Sequence, residues 1–377
     1  MNTHSAQQSS YQARHSKLAR ILYNSGLDAL VLNPGPSLIY LTGLHFHLME
    51  RPVVTFFTPH NPPAIVLPEL EAGKTTQLDF PIQVFPYGED PDTWLPAFRQ
   101  AARAVDLDQH QVGVEPGRLR FLELRFLEAA AEGARFISAE EILAALRMQK
   151  DENELAAMRK AAQIAQQGLQ AALASFKMGM TERDLAGELT IQLLRAGSDS
   201  ELAFTPIVSG GPNSANPHAT PTERPLQAGD LLVIDWGATY DGYLSDITRT
   251  FAIGEVEPEF ARIAQIVKEA NQAGRAAVRP GALAEDVDHA ARAVIEKAGY
   301  GQFFFHRTGH GLGMEGHEPP YMRAGNTLKL AAGMTFTVEP GIYIPERGGV
   351  RVEDDVAVTE SGVETLTDLP RELQTLA

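Results

Sequence analysis

Five ionisable residues of this chain sit where a folded protein least tolerates them. Asp235 lies in LLVIDWGA, Asp246 in YLSDITRTF, Glu339 in TFTVEPGIY and Glu353 in GVRVEDDVAV, each within a short apolar stretch, while His310 lies among glycines in RTGHGLG. An acid in the middle of a buried strand is costly unless a positive group compensates it. Metal ions are the simplest compensation for four such acids beside one imidazole. Oxygen-rich ligation with a single His suits hard-to-borderline divalent ions such as Mn, Co, Zn or Fe.

The spacing of the acids sharpens this. Asp235 and Asp246 flank Asp241-Gly242, a hairpin-turn dipeptide. VIDWGATYDGYLSDITRTF therefore reads as two antiparallel strands, with Asp235 and Asp246 facing each other across the pair at about 5 Å. Carboxylates that close raise each other's pKa unless cations sit between them. Glu339 and Glu353 fit a second such hairpin, joined by Glu346-Arg347-Gly348-Gly349. The glycines around His310 let the backbone approach closely and turn sharply.

Composition sets outer bounds. A chain of 377 residues is expected to form one very large domain or two. With 44% hydrophobic and 21% charged residues it has the make-up of an ordinary globular protein. The absence of cysteine excludes disulfides, a thiol nucleophile and Cys-based metal sites. A net charge of −16 argues against nucleic acid or an anionic membrane as the main partner. No apolar run approaches the roughly 20 residues of a membrane span. The N-terminal MNTHSAQQSSYQARHSKLARIL lacks acids, as a transit peptide would. Its Leu18, Ile21 and Leu22 nevertheless form a helical stripe stopped by Gly26 and followed by the strand-like LDALVL. We read it as the first helix of a domain, and with no secretory apolar core a cytoplasmic protein is expected.

Residues 1–149 alternate short apolar runs (LDALVL, PVVTFFT, AIVLPE, IQVFPYG, QVGVEP, ARFISA) with helix-like stretches, an α/β pattern. Nothing in this half looks catalytic; His45 and His47 in GLHFHLME read as structural or pocket-lining. A long Ala/Leu-rich stretch from Lys150 carries Asp151, Glu152 and Glu154 in its first turn, where acids favour a helix start. It opens a second domain, 150–377, with the boundary near 147–151. This second half contains an internal repeat. Residues 176–197 and 278–299 align without gaps, matching Gly179, Asp184, Ala196 and Gly197 to Gly281, Asp286, Ala298 and Gly299. Duplicated α/β halves about a pseudo-twofold axis would place strands centrally and helices outside. A site between those halves would take Asp235 and Asp246 from the first and His310, Glu339 and Glu353 from the second.

This ordered set resembles the pita-bread metallopeptidases: methionine aminopeptidase, aminopeptidase P, prolidase and creatinase. The resemblance is strong over about 151–377, and the first half resembles the smaller α/β domain that prolidase, aminopeptidase P and creatinase carry. It implies an α/β (α+β) protein whose catalytic domain has a central curved antiparallel sheet, two divalent ions per chain (manganese foremost) and a homodimer. Asp235 would bind one ion, His310 and Glu339 the other, and Asp246 and Glu353 both. A hydroxide shared by the ions would attack the bond before proline in a small Xaa-Pro peptide, with Glu339 moving the proton. His218 in NSANPHATP and His317 in MEGHEPP match family histidines that contact substrate or shuttle protons. Arg351 resembles an arginine that contacts substrate or braces the bridging Glu, and Thr248 is placed to hydrogen-bond a ligand.

One departure bears on substrate length. Prolidases restricted to dipeptides carry an Arg soon after the His-Glu pair. Here His317-Glu318 is followed by Pro319, Pro320 and Tyr321, and Arg323 comes later. Tyr321 is then expected to wall a proline pocket, and longer Xaa-Pro peptides, as for aminopeptidase P, remain open. A creatinase-like amidinohydrolase and a noncatalytic peptide-binding module are the other readings; bound metal separates them from a peptidase.

Overall fold

The computed structural model describes residues 3–376, with side chains from residue 11 onward. It divides into two compact units, Met1–Arg147 and Met148–Ala377. In the first, the N-terminal stripe is helix α1 (Thr3–Ser25), with Leu18 and Leu22 buried and Gly26 at φ 70° beyond its end. The six apolar runs become strands β1 (Ala29–Leu32), β2 (Val54–Phe57), β3 (Ala64–Pro68), β4 (Gln83–Tyr87), β5 (Gln111–Val114) and β6 (Arg135–Ser138). They form one mixed sheet in the order β4-β3-β2-β1-β5-β6. Helices α2 (Pro36–Thr42), α3 (Trp94–Ala104), α4 (Phe121–Ala130) and α5 (Glu140–Arg147) complete the unit. Phe98, Ala101 and Leu127 pack on one face of the sheet against Val31, Phe56 and Val112. His45 and His47 lie exposed on the irregular segment before β2, in no strand.

The second unit shows how the repeat is built. Helices α6 (Glu152–Ala174) and α7 (Glu182–Ala196) form one antiparallel pair, and α8 (Pro258–Ala277) and α9 (Ala284–Lys297) another. All four matched glycines adopt left-handed φ: Gly179 88°, Gly197 106°, Gly281 83° and Gly299 88°. Asp184 and Asp286 play one role, each accepting a backbone N–H three residues upstream, from Thr181 and Leu283. The likeness extends past the helices. Gly179 N–H donates to Leu226 O and Gly281 N–H to Leu330 O, and the two leucines donate back to Met180 O and Ala282 O.

Strands β7 (Ile207–Gly210), β8 (Leu231–Trp236), β9 (Thr239–Tyr240), β10 (Tyr243–Leu244) and β11 (Ile247–Ile253) follow the first helix pair. After the second come β12 (Gly309–Gly311), β13 (Glu318–Met322), β14 (Thr335–Val338), β15 (Gly341–Ile344), β16 (Gly348–Arg351), β17 (Asp354–Val358), β18 (Val363–Thr365) and β19 (Gln374–Leu376). The main ladders are a four-stranded sheet, β19-β11-β8-β7, and a five-stranded one, β13-β12-β14-β17-β18. All pairings in this unit are antiparallel except β11 with β19. On β8, Leu232, Ile234 and Trp236 join Leu185, Leu189 and Leu193 in the first half's core. Strand alternation then turns Asp235 to the other face. Phe260, Ile263 and Ile295 pack with Ile342 and Val350 in the second half. Among the described residues no helix is long and apolar enough to cross a membrane.

Candidate active site

The first hairpin forms as its turn predicts. Asp241 (φ 52°) and Gly242 (φ 75°) both adopt the left-handed conformation of a type I′ turn between β9 and β10. Its register differs from expectation: Asp235 lies opposite Thr248, and Trp236 opposite Ile247. Asp246 therefore precedes β11 and is set diagonally from Asp235 rather than facing it. The displacement goes with a pinch at Gly237, where any Cβ would overlap the Ser245 carbonyl.

The second hairpin is one long ladder with a gap. Val338 faces Asp354 below the gap and Gly341 faces Arg351 above it, so the register is unchanged and sets Glu339 against Glu353. Glu353 N–H leaves this ladder and donates to Thr248 O at 3.1 Å, tying the second hairpin to the first. Asp354 points away into a clamp of Arg249 and Arg371, at 2.8 and 2.7 Å. Burial alone would raise its carboxyl, but those guanidiniums outweigh it and hold Asp354 below the usual range. The following residue, Asp355, accepts the Asp246 N–H at 3.0 Å.

His310 rides on β12 between two glycines that admit no side chain. A Cβ at Gly309 would overlap the Thr337 carbonyl, and one at Gly311 those of Glu318 and Pro319. Both glycines are thus required by close backbone approach. Buried Asp288 of α9 pins the strand's start by accepting from Thr308 N and Oγ1, at 3.2 and 2.7 Å. His310 Nδ1 lies 3.2 Å from Gly311 O, an acceptor only, so Nδ1 carries the proton and Nε2 a lone pair. That lone pair points at acids: Nε2 is 3.3 Å from Glu339 Oε1 and 3.6 Å from Asp246 Oδ2.

The electrostatics show an arrangement short of positive charge. Burial, then Glu353 and Asp235, hold Asp246 well above the ordinary carboxylate range; burial, then Glu339, do the same to Glu353. Burial pushes Glu339 up to about 7. Burial also drives His310 well below its usual pKa, so the imidazole is neutral. Asp235 is raised by burial but partly relieved by Arg351, whose Nη2 donates to its Oδ2 at 2.6 Å. The other carboxylate oxygen, Oδ1, is buried without a hydrogen bond. A neutral nitrogen ligand, converging carboxylates and an unsatisfied carboxylate oxygen are the donor set of a hard divalent cation. Asp246, His310 and Glu353 alone bring ligand atoms within 4.8 Å of one another.

These groups form the floor of a cavity of about 780 Å³. Asp235, Asp246, His310, Glu339, Glu353, His218, His317 and Arg351 all line it. His218 is held by its loop, which buried Glu182 anchors by accepting from Gly210 N, Asn213 and Thr222. The His317 ring lies against that of His310, with centroids 3.9 Å apart and planes tilted by 45°. One expectation needs correction. Tyr321 is not among the lining residues; its ring lies under the Arg307 guanidinium, 4.6 Å away. Arg351 pairs with Asp235 directly and reaches Glu353 through Thr248: its Nε donates to Thr248 Oγ1, and Thr248 Oγ1 in turn donates to Glu353.

The profile of metallopeptidase family M24 matches residues 156–360, which contain Asp235, Asp246, His310, Glu339 and Glu353. The chain belongs to metallopeptidase family M24. Residues 14–149 of this M24 protein match the creatinase/prolidase N-terminal domain. A probable dipeptidase of Mycobacterium tuberculosis is 38% identical over 96% of each chain. A Xaa-Pro dipeptidase of Lactobacillus helveticus is 33% identical over 95% of this chain and 97% of its own. The crystal structure of a prolidase from Thermococcus sibiricus superposes with a TM-score of 0.91 at 33% identity, covering 97% of this chain and 99% of that one. The M24 protein is thus a metallopeptidase with a pita-bread catalytic domain, and its family binds divalent metal.

Several site residues escaped the sequence reading. His306 lines the cavity and bonds the Tyr343 hydroxyl at 3.0 Å, with burial lowering its pKa to about 4. Tyr343 in turn accepts from Arg351 Nη1 at 3.0 Å, and burial pushes its phenol up to about 12. Arg307, Phe204 and Phe305 also line the cavity. For Arg307 a signal existed: it lies three residues before His310 in HRTGHG.

Proposed function

We propose that this chain is a Xaa-Pro dipeptidase that works with two divalent cations per active site, manganese foremost. The observation that carries the reading is the convergence of four acids and a neutral His310 on one cavity floor. Asp235, Asp246, His310, Glu339 and Glu353 would hold the ions. Cations bound there supply Lewis-acid chemistry, polarising a peptide carbonyl and acidifying water. The chain's own residues do the rest. Glu339 takes a proton at Oε1, the atom that Thr337 Oγ1 holds at 3.2 Å, and delivers it to the leaving imino nitrogen. Arg307 donates to His317 Nδ1 at 3.1 Å, which leaves a neutral His317 with its proton on Nε2, ready to donate to a carbonyl oxygen. His218 faces the same cavity from its loop.

Arg323 lies outside the cavity's walls, and longer Xaa-Pro peptides are the alternative substrates. Turnover of Ala-Pro, Ala-Pro-Ala and Ala-Ala by manganese-reloaded protein tests the reading, together with metal content by elemental analysis. Two equivalents of metal and cleavage of Ala-Pro alone are expected. Equal cleavage of Ala-Pro-Ala would make the enzyme an aminopeptidase, and a metal-free protein without activity on any of the three would remove the reading.

A further inference from the structure

Two guanidiniums line the cavity, and only one of them is available to a ligand. Arg351 is spent: its three nitrogens already donate to Thr248 Oγ1, Tyr343 OH, Pro217 O and Asp235 Oδ2. Arg307 is different. Among the described residues it makes no ion pair, it is half-buried, and its one side-chain hydrogen bond goes from Nη2 to His317 Nδ1. Its guanidinium carbon sits over the Tyr321 ring, 4.6 Å from the centroid, a cation–π contact that helps to hold a guanidinium in place for two-point recognition of a carboxylate. Phe204, Phe305 and Ile207 form apolar wall in the same cavity, suited to a pyrrolidine ring.

We propose that Arg307 is the receptor for the free carboxylate of a dipeptide substrate, and hence the residue that restricts chain length. This rests on the Xaa-Pro reading and deepens it. A zwitterionic dipeptide has one charge for each end of such a site. Its ammonium is drawn to the acid-rich floor, while its carboxylate finds the one cavity guanidinium not already claimed by an acid. A longer peptide carries a neutral amide at that point and would leave Arg307 desolvated and unpaired. Tyr321 thus acts indirectly, as the platform under Arg307 rather than as a pocket wall.

The test compares Ala-Pro with Ala-Pro-amide, which differ only in the carboxylate, on the manganese-loaded enzyme and its Arg307→Met and Arg307→Lys variants. Wild type should favour the acid. Arg307→Met should lower kcat/KM on both substrates through His317, and should lose roughly a hundredfold more on the acid than on the amide, the excess appearing mainly in KM. Arg307→Lys should recover part of that loss. Calorimetric affinity for L-proline against L-prolinamide should shift the same way, independently of turnover. Equal losses on acid and amide would show that Arg307 acts only through the His317 tautomer and would overturn the assignment, as would a wild type indifferent to the amide. An enzyme inactive on every Xaa-Pro substrate would instead remove the parent reading.

Discussion

The two halves of the catalytic unit share a frame and differ in how they treat the acid it carries. In both, a helix pair ends in a left-handed glycine, a loop leucine bonds back to the second helix's entry, and a second glycine opens a strand: Gly229 at φ 93° before β8, Gly333 at φ 85° before β14. Counting on from those glycines, Asp235 and Glu339 occupy the same step of the ladder. Asp235 is gripped by Arg351 at 2.6 Å; among the described residues Glu339 has no guanidinium ion pair, and it meets Thr337 and the lone pair of His310. One scaffold position thus yields an acid held by a guanidinium in the first half and, among the described residues, an acid without one in the second. In the proposed mechanism the repeated frame serves cation binding, and the asymmetry around one acid leaves a group able to exchange protons.

The strongest way to break this comparison is Glu339→Gln. Turnover on Ala-Pro at saturating metal should fall by roughly 10³-fold, with the circular dichroism unchanged; near-normal kcat would deny Glu339 its role. Arg351→Met attacks the other half. It strips the counter-charge from Asp235 and should cost about 3–5 kcal/mol in denaturant titrations of metal-free protein, and markedly less once manganese is bound. An equal loss in both states would mean that the arginine supports packing rather than charge.

The pH dependence sharpens the contrast further. Glu339 titrates near 4.5 unfolded and near 7 folded. The metal-free native state therefore holds more protons between those values, so its stability is greatest at the acid end and falls as pH rises through that window. Metal reverses the trend by taking the protons' place, and the gap between loaded and stripped melting temperatures should widen from pH 5 to pH 7. A gap independent of pH would contradict burial as the cause. The smallest effect separates the paired glycines. Gly229→Ala should cost on the order of 1 kcal/mol for its left-handed backbone. Gly333→Ala should cost more, because its Cβ would also run into the Lys150 carbonyl whereas that of Gly229 meets only Glu255 O at 3.8 Å.

The acids were legible because burial makes them conspicuous: a carboxylate inside VIDWG or TVEPG has no cheap structural explanation. The six strands of the first unit and the matched glycines were legible for similarly local reasons, alternation and left-handed turns. The equivalence of AGDLLVIDWG and AGMTFTVEPG passed unnoticed because the two share few side chains; what they share is a ladder position. Register was misjudged for Asp246 since the pinch at Gly237 shifts it by backbone contacts that no residue pattern announces. Tyr343, His306 and Arg307 were missed for a third reason. Each is unremarkable in its own segment and acquires a role only by touching another, Tyr343 linking Arg351 to His306 across separate stretches of chain.

The unbroken register of the second hairpin has a practical corollary for anyone who would alter this protein. Glu339 and Glu353 hang on the same numbering of paired rungs, so one residue added or deleted between Gly341 and Ile344 rotates one acid out of the cavity relative to its mate. At the exposed tip, Pro345-Glu346-Arg347, no rung exists to be miscounted. That tip is where a tag, a fluorophore or a grafted loop can be carried without disturbing the chemistry below.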